Sequence, residues 1–185
     1  MRHESYVIPG IDLDSQKVSL LMISEAAPQE PGDYYYAGVE ALFAKTTLQA
    51  FEDASVRVAS IQELLDLGIY LTTAVKCGKT TYGIQTLTVE NCSHLLQQEL
   101  PLFPNVQAYM LMGDIAIIAF NLVAKRCGQG RVIPAGSTYK IRGSSYYYQG
   151  KRVFPSYLQA GPSFFIERSK RKIIAEDISA AVKLI

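Results

Sequence analysis

Apolar runs alternate with amphipathic segments along the 185 residues of this chain. Three runs are strand candidates, namely Val18–Ile23, Tyr70–Val75 and Gln107–Met112. The first (VSLLMI) is a continuous apolar run, and the second is rich in β-branched residues. Such runs are typical of strands covered on both faces of a parallel sheet.

Segments with apolar residues at helical spacing separate and follow these strands. They are Val39–Phe51, Ser60–Leu67, Val89–Leu100, Ile115–Lys125 and Glu167–Ile185. Ser60 with Glu63 three residues later predicts a capping box at the start of the second helix. Thr88 is placed to cap the third helix.

The last third of the chain adds two predictions. Ser137–Arg142 is a fourth strand candidate, and Tyr146–Val153 is predicted to form a hairpin through Gln149-Gly150. The whole pattern predicts one domain over residues 1–185, an α/β fold with three α/β/α layers around a central, mainly parallel four-stranded sheet. Right-handed crossovers put the carboxyl ends of the strands at one edge, where we expect a ligand site.

Composition narrows the class of protein. Apolar residues make up 49% and charged residues 19% of the chain, which is typical of a globular domain. The net charge of +1 does not indicate a nucleic-acid-binding protein, although a local basic patch is enough to bind nucleic acid. Three cysteines (Cys77, Cys92 and Cys127) argue for a reducing compartment. With no signal peptide and no bilayer-length apolar run, we expect a cytoplasmic monomer without membrane contact.

Four motifs stand where strands give way to loops. They are Ser24–Pro28 (SEAAP), Tyr70–Cys77 (YLTTAVKC), Leu111–Ala116 (LMGDIA) and Phe154–Leu158 (FPSYL). In this order they resemble the uracil-DNA glycosylase superfamily, and most closely its bacterial and archaeal iron–sulfur branch. That branch has a Gly-Glu-Ala-Pro-Gly loop, an Ile-Thr-Asn-Val-Val-Lys-Cys strand, a Leu-Gly-Ala segment and a late His-Pro-Ser or His-Pro-Ala loop. The resemblance covers roughly the whole chain after the first strand begins.

The resemblance implies a uracil-DNA glycosylase-like fold and a DNA-base N-glycosidase, a hydrolase that flips a base out of DNA. By resemblance, Glu25 is the catalytic carboxylate, beside the sugar or the attacking water. The base pocket would comprise Ala26, Tyr35, Tyr36, Thr73 and Phe154. The DNA contacts would comprise Lys76, Lys79, Pro155, Ser156, Tyr157 and Leu158.

Two residues of the predicted base pocket depart from the family pattern. Thr73 stands for the family's asparagine and offers one hydroxyl instead of a bidentate amide, and Phe154 stands for its histidine and donates no hydrogen bond. We therefore expect altered or weakened base specificity. Thr73 can equally be a plain strand residue, and the tyrosines at 35 and 36 can equally cover apolar surface.

Cys77 and Cys92 match two of the four positions that hold the iron–sulfur cluster in that branch. No cysteine precedes Cys77, so we predict no cluster, no other cofactor and no metal. Two other functions stay open. The first is a catalytically inactive module that binds a nucleic acid, a nucleotide or a protein. The second is hydrolysis of a free nucleoside or another small substrate.

Overall fold

Four parallel strands and one antiparallel edge strand form the sheet in the computed structural model, which describes residues 6–78 and 83–185. The strands are β1 (Leu20–Ala27), β2 (Ile69–Gly78), β3 (Ala108–Met112), β4 (Tyr146–Tyr148) and β5 (Lys151–Ser156). They lie in the order β2-β1-β3-β5-β4. Strands β2, β1, β3 and β5 are parallel, and β4 pairs antiparallel with β5.

Helices cover both faces of this sheet. They are α1 (Leu42–Asp53), α2 (Ile61–Asp66), α3 (Thr86–Glu99), α4 (Asp114–Arg126), α5 (Thr138–Ile141), α6 (Ser163–Ile166) and α7 (Arg168–Val182). On one face Ile23 of β1 shares a core with Phe120 of α4. On the other face Met22 shares a core with Phe51 of α1 and Ile178 of α7. Adjacent residues of a strand point to opposite faces, so one strand serves both cores.

The α/β class and the mainly parallel sheet confirm the prediction, but its count of four strands is wrong. Segment Ser137–Arg142 is not a strand, because Thr138 and Ile141 are buried three residues apart and form helix α5. The predicted hairpin is confirmed and supplies β4 and β5. Its turn residues have φ angles of 50° at Gln149 and 78° at Gly150, as a two-residue hairpin turn of the left-handed type requires.

Of the two side-chain caps predicted at helix N-termini, the structure has the one at α2 but not the one at α3. Ser60 caps α2 by accepting from the amide of Glu63 at 3.2 Å, as predicted. The Glu63 carboxylate reaches back to the amide of Ala59 at 2.8 Å, one residue beyond the usual box partner. The prediction for Thr88 is wrong, because α3 begins at Thr86 and its N-cap residue Gln85 makes no side-chain cap.

The order of the strands creates a crevice between β1 and β3. From the carboxyl end of β1 the chain moves to β2 on one side, and from the carboxyl end of β3 it moves to β4 and β5 on the other side. Two neighbouring connections therefore leave in opposite directions at the carboxyl ends of β1 and β3. In open α/β sheets ligands bind at such a switch point.

Candidate functional site

A cleft of about 480 Å³ opens at this switch point. Glu25 reaches it from β1, Gly113 and Asp114 from the end of β3, and Tyr157 and Leu158 from the end of β5. Helices α5 and α7 and the loop before α5 complete the wall. Three of the four motifs found in the sequence thus contribute to one cleft.

Glu25 is packed tightly against Gly113. A Cβ atom at position 113 would stand 2.6 Å from Oε1 of Glu25, and the φ angle of Gly113 is 102°. The amide of Ile115 donates to the same Oε1 at 3.3 Å. Glu25 therefore caps α4 from a neighbouring strand, where the positive end of the helix dipole stabilises negative charge.

Asp114 adds a second carboxylate to the cleft. It is exposed, and its Oδ1 accepts a hydrogen bond from the hydroxyl of Thr138 at 3.4 Å. Sequence reasoning missed both residues as site candidates. The glycine-aspartate turn after β3 was visible, but the contact with α5 depends on long-range packing.

Arg131 stands at the rim of the cleft on a loop that is anchored to α4. The Asn121 side chain accepts from the amides of Val132 and Ile133 at 3.0 Å each and donates to the carbonyl of Ile133 at 2.9 Å. One amide thus fixes three backbone groups beside Arg131. The sequence carries no motif that announces this arrangement.

The α7 side of the cleft carries two more cations. Lys170 pairs with Glu167, and its Nζ lies 5.3 Å from the centre of the Tyr157 ring. Arg171 makes a bidentate pair with Asp53 at 2.7–2.9 Å. Both cations are therefore already neutralised by acidic side chains of the protein.

The residues of the motif Phe154–Leu158 lie partly at the surface and partly in the core. Tyr157 and Leu158 are half-buried and line the cleft, so their role as DNA contacts stays a prediction. Pro155 and Ser156 are buried, and the hydroxyl of Ser156 donates to Oδ2 of Asp177 at 2.6 Å. In this arrangement neither Pro155 nor Ser156 reaches a nucleic acid.

Asp177 in turn forms an ion pair with Arg142, at 2.6 Å between Oδ1 and Nη2. Burial raises the pKa of Asp177, while the hydrogen bonds from Arg142 and Ser156 lower it. The carboxylate links the end of β5, the residue after α5 and the middle of α7. These are three elements of the cleft wall, so the pair helps to set their spacing.

Thr73 and Phe154 do not line the cleft. Thr73 pairs with Ser24 across β2 and β1, whereas Phe154 pairs with Met110 across β5 and β3, two residues short of the strand end. Two strands lie between them, which separates them by about 14 Å at the usual strand spacing. Both belong to the α1 and α7 face, and Glu25 points to the opposite one. The alternation of side chains along strands turns both away from Glu25, and their roles in a base pocket stay predictions.

Both residues are instead part of the interior. Thr73 is 1% exposed, and its hydroxyl has no hydrogen bond of normal geometry within the described residues. Phe154 lies in the core beneath the guanidinium of Arg152, which stands 4.4 Å from the ring centre. The plain strand interpretation of Thr73 therefore fits better than a role in base recognition.

Tyr35 belongs to a closed hydrogen-bond triangle in the core. Ser24 donates to Oε1 of Gln159 at 3.2 Å, and Nε2 of Gln159 donates to the Tyr35 oxygen at 3.2 Å. That leaves the Tyr35 hydroxyl to donate to Ser24 at 2.5 Å. Burial raises the pKa of Tyr35, so its phenol stays protonated. Tyr35 cannot stack on a base without leaving this triangle.

Tyr36 and Ala26 also have structural roles. The Tyr36 hydroxyl accepts from the amide of Leu71 at 3.0 Å and donates to the Leu71 carbonyl at 2.9 Å. It thereby closes the outer edge of β2, the kind of edge that otherwise invites strand pairing. Ala26 is buried next to a register shift in β1. Neither residue lines the cleft.

Lys76, predicted to contact DNA, is already bonded within the protein. Its ammonium donates to the hydroxyl of Thr72 at 2.6 Å and pairs with Glu99. Both charged side chains are only 15% exposed. This internal pairing disfavours a DNA contact by Lys76, which stays a prediction, and Lys79 lies outside the described residues.

Cys77 and Cys92 are neighbours at the end of β2 and in α3. Burial raises the pKa of Cys77, and the adjacent Cys92 thiol raises it further. Both thiols are free. In residues 6–78 and 83–185, no group of three or more His, Cys, Asp or Glu side chains is arranged to hold a metal ion. Over the same residues, no helix combines the length and apolarity needed to cross a bilayer.

No protein-family model matches the sequence, and a search of curated proteins finds no match.

Proposed function

We propose that the protein hydrolyses the N-glycosidic bond of a nucleoside unit, as the superfamily that its motifs resemble does. The observation that carries the proposal is Glu25, a carboxylate held at the switch point by Gly113 and the start of α4, in a cleft of about 480 Å³. Ligand sites commonly have volumes of about 300–1,000 Å³, so this cleft is large enough for a base and its sugar.

The chemistry needs one carboxylate near the sugar. As the bond between C1′ and the base nitrogen breaks, its electron pair leaves with the base and positive charge gathers on the sugar. Glu25 stabilises that charge and accepts a proton from the water whose oxygen bonds to C1′. The departing base takes up a proton, which balances the reaction.

Negative charge gathers on the departing base, so the base needs a hydrogen-bond donor. Phe154 cannot be that donor, since it has no polar atom in its side chain and lies in the core. Tyr157 follows the same strand and lines the cleft. Its ring provides a stacking surface and its hydroxyl a donor. A tyrosine three residues after the histidine position, in place of a histidine at it, supports altered base specificity, with weak or absent action on uracil.

The architecture supports the same proposal. Four parallel strands with helices on both faces are compatible with a three-layer, uracil-DNA glycosylase-like fold, to which β4 adds one antiparallel strand. The two resembling motifs that bracket the switch point, around Glu25 and Gly113, contact each other directly.

The test is single-turnover cleavage with enzyme in excess. Substrates are deoxyuridine, hypoxanthine and alkylated bases in single- and double-stranded DNA, together with free nucleosides and nucleotides. Glu25→Gln is expected to lower the rate by about 10²–10⁴-fold, the usual contribution of a positioned acid or base. Glu40→Gln, at an exposed position, is the matched control. No cleavage of any substrate would refute the proposal.

A second candidate is a binding module without catalysis. It is favoured by the burial of Thr73 and Phe154, which leaves the family's base-recognition positions without a polar group in the cleft. Ligand binding to the folded state raises the melting temperature. A thermal shift that Glu25→Gln leaves unchanged, with no turnover, would select this candidate.

A further inference from the structure

The cationic side chains that line the cleft differ in whether an acidic side chain of the protein already pairs with them. Arg131, Lys170 and Arg171 line it, and acidic side chains already occupy two of them. Arg131 is exposed, and in the described part of the chain no ion pair or hydrogen bond engages its side chain. Of these three cations, Arg131 is therefore the one that no acidic side chain already engages.

The position of Arg131 is set by its backbone. Asn121 holds the two residues that follow Arg131 through three hydrogen bonds of 2.9–3.0 Å. The loop is thus fixed to α4, the same helix whose first turn holds Glu25. The loop therefore fixes where the Arg131 side chain starts, and the fork geometry of a guanidinium suits phosphate oxygens.

The rest of the wall is unfavourable for a nucleic-acid strand. Glu25 and Asp114 line the same cleft, so a chain of phosphodiesters would meet carboxylates. Binding to DNA usually engages several cations along the backbone. Lys76 is committed to Glu99. A single phosphate on a free sugar fits better, because free sugar hydroxyls can donate to the exposed Asp114 carboxylate, whereas hydroxyls esterified within a strand cannot.

We infer that the substrate is a free nucleoside monophosphate and that Arg131 is the specificity-determining residue that binds its phosphate. This inference rests on the proposed hydrolysis of an N-glycosidic bond and names the substrate class for the same cleft. Glu25 acts at the sugar and Arg131 acts at the phosphate.

The first experiment compares the 5′-monophosphates of the common ribo- and deoxyribonucleosides with the matching nucleosides and with single-stranded oligonucleotides. Free base released is measured for each. The wild-type protein is expected to cleave a monophosphate with a KM roughly 10- to 100-fold below that of its nucleoside, which is the worth of hydrogen bonds between charged groups.

Three variants test the residue assignment. Arg131→Gln is expected to raise the KM for the monophosphate by about 10- to 100-fold, toward that of the nucleoside, with a much smaller effect on cleavage of the nucleoside. Asn121→Ala keeps the guanidinium but frees its loop, and it is expected to raise the KM for the monophosphate alone. Lys183→Gln removes an exposed charge beyond the end of α7 and is the control that changes neither constant.

The outcomes separate the two proposals. Cleavage of oligonucleotides at a kcat/KM equal to or above that of monophosphates would overturn the inference and leave the glycosidase proposal standing. If nothing is cleaved, the glycosidase proposal fails, and thermal shift with the same monophosphates decides about Arg131. A shift that needs the phosphate and disappears in Arg131→Gln supports phosphate binding. No shift with any monophosphate refutes it.

Discussion

The side chain of Glu25 fills the space that a Cβ atom at position 113 would need. The absent side chain at 113 is what lets the carboxylate of Glu25 reach the start of α4, since a Cβ there would lie 2.6–2.8 Å from three Glu25 atoms. The motif after β1 and the motif after β3 therefore depend on each other. Changing the glycine tests the position of the carboxylate without touching it.

Gly113→Ala is expected to destabilise the fold and to displace Glu25. Gly113 has φ 102° and ψ 165°, a region essentially reserved for glycine, so backbone strain costs about 1–3 kcal/mol for an L-residue, and the clash adds to it. Gly128→Ala is the control for a positive φ without a clash, because its φ is 77° and nothing lies within 4 Å of the added Cβ. The measurement is urea unfolding of both variants. Equal losses of unfolding free energy would show that the contact with Glu25 carries no weight.

Tyr35→Phe is expected to lower the free energy of unfolding by about 1–3 kcal/mol. It removes one member of the triangle with Ser24 and Gln159 and leaves the buried Gln159 amide short of an acceptor. Tyr139→Phe removes a hydroxyl from a side chain that is 68% exposed and should change stability little. A loss at Tyr35 no larger than at Tyr139 would mean that the triangle does not stabilise the core.

Asp177→Asn is expected to change how stability depends on pH. Burial raises the pKa of Asp177, and the nearby Glu176 also raises it, against the effect of Arg142 and Ser156. The folded state therefore holds this proton more tightly than the unfolded chain does. The stability that this provides is present at low pH and is lost as pH rises through the raised pKa.

The difference between wild type and Asp177→Asn isolates that titration. From about pH 4 upward, where free aspartate ionises, the wild type should lose unfolding free energy relative to the variant. Arg142, whose pKa is raised by its hydrogen bond to Asp177, stays charged throughout and does not contribute to the slope. Urea unfolding at steps between pH 4 and pH 7 gives the comparison. A difference that is flat or of opposite sign contradicts the assignment.

Lys76→Met is expected to reduce stability and to leave any nucleic-acid affinity unchanged. Removing the ammonium leaves Glu99 charged at 15% exposure with only Thr72 as a hydrogen-bond partner, at a cost of about 1–3 kcal/mol. Lys45→Met breaks the exposed pair with Glu40 and should cost less than about 1 kcal/mol. A loss of DNA binding without a loss of stability would restore Lys76 as a DNA contact.

The prediction of the fold depended on the local pattern of apolar residues and turn residues. Apolar runs marked β1, β2 and β3, the spacing of apolar residues marked the long helices, and Gln149-Gly150 marked the hairpin. It failed at α5, a four-residue helix whose stability comes from burying Thr138 and Ile141 against the rest of the fold. So short a helix has little intrinsic stability, and its sequence signal is correspondingly weak.

The sequence by itself determined that strand ends converge at one edge and that Glu25 stands there. Only the tertiary structure decided which side chains join it. The register of β2, β1, β3 and β5 turned Thr73 and Phe154 into the core, and long-range packing brought Asp114 and Arg131 to the cleft. The reason is physical. The periodicity of a strand fixes only which of its residues share a face of the sheet, whereas the neighbours of a side chain depend on pairings between segments far apart in the chain.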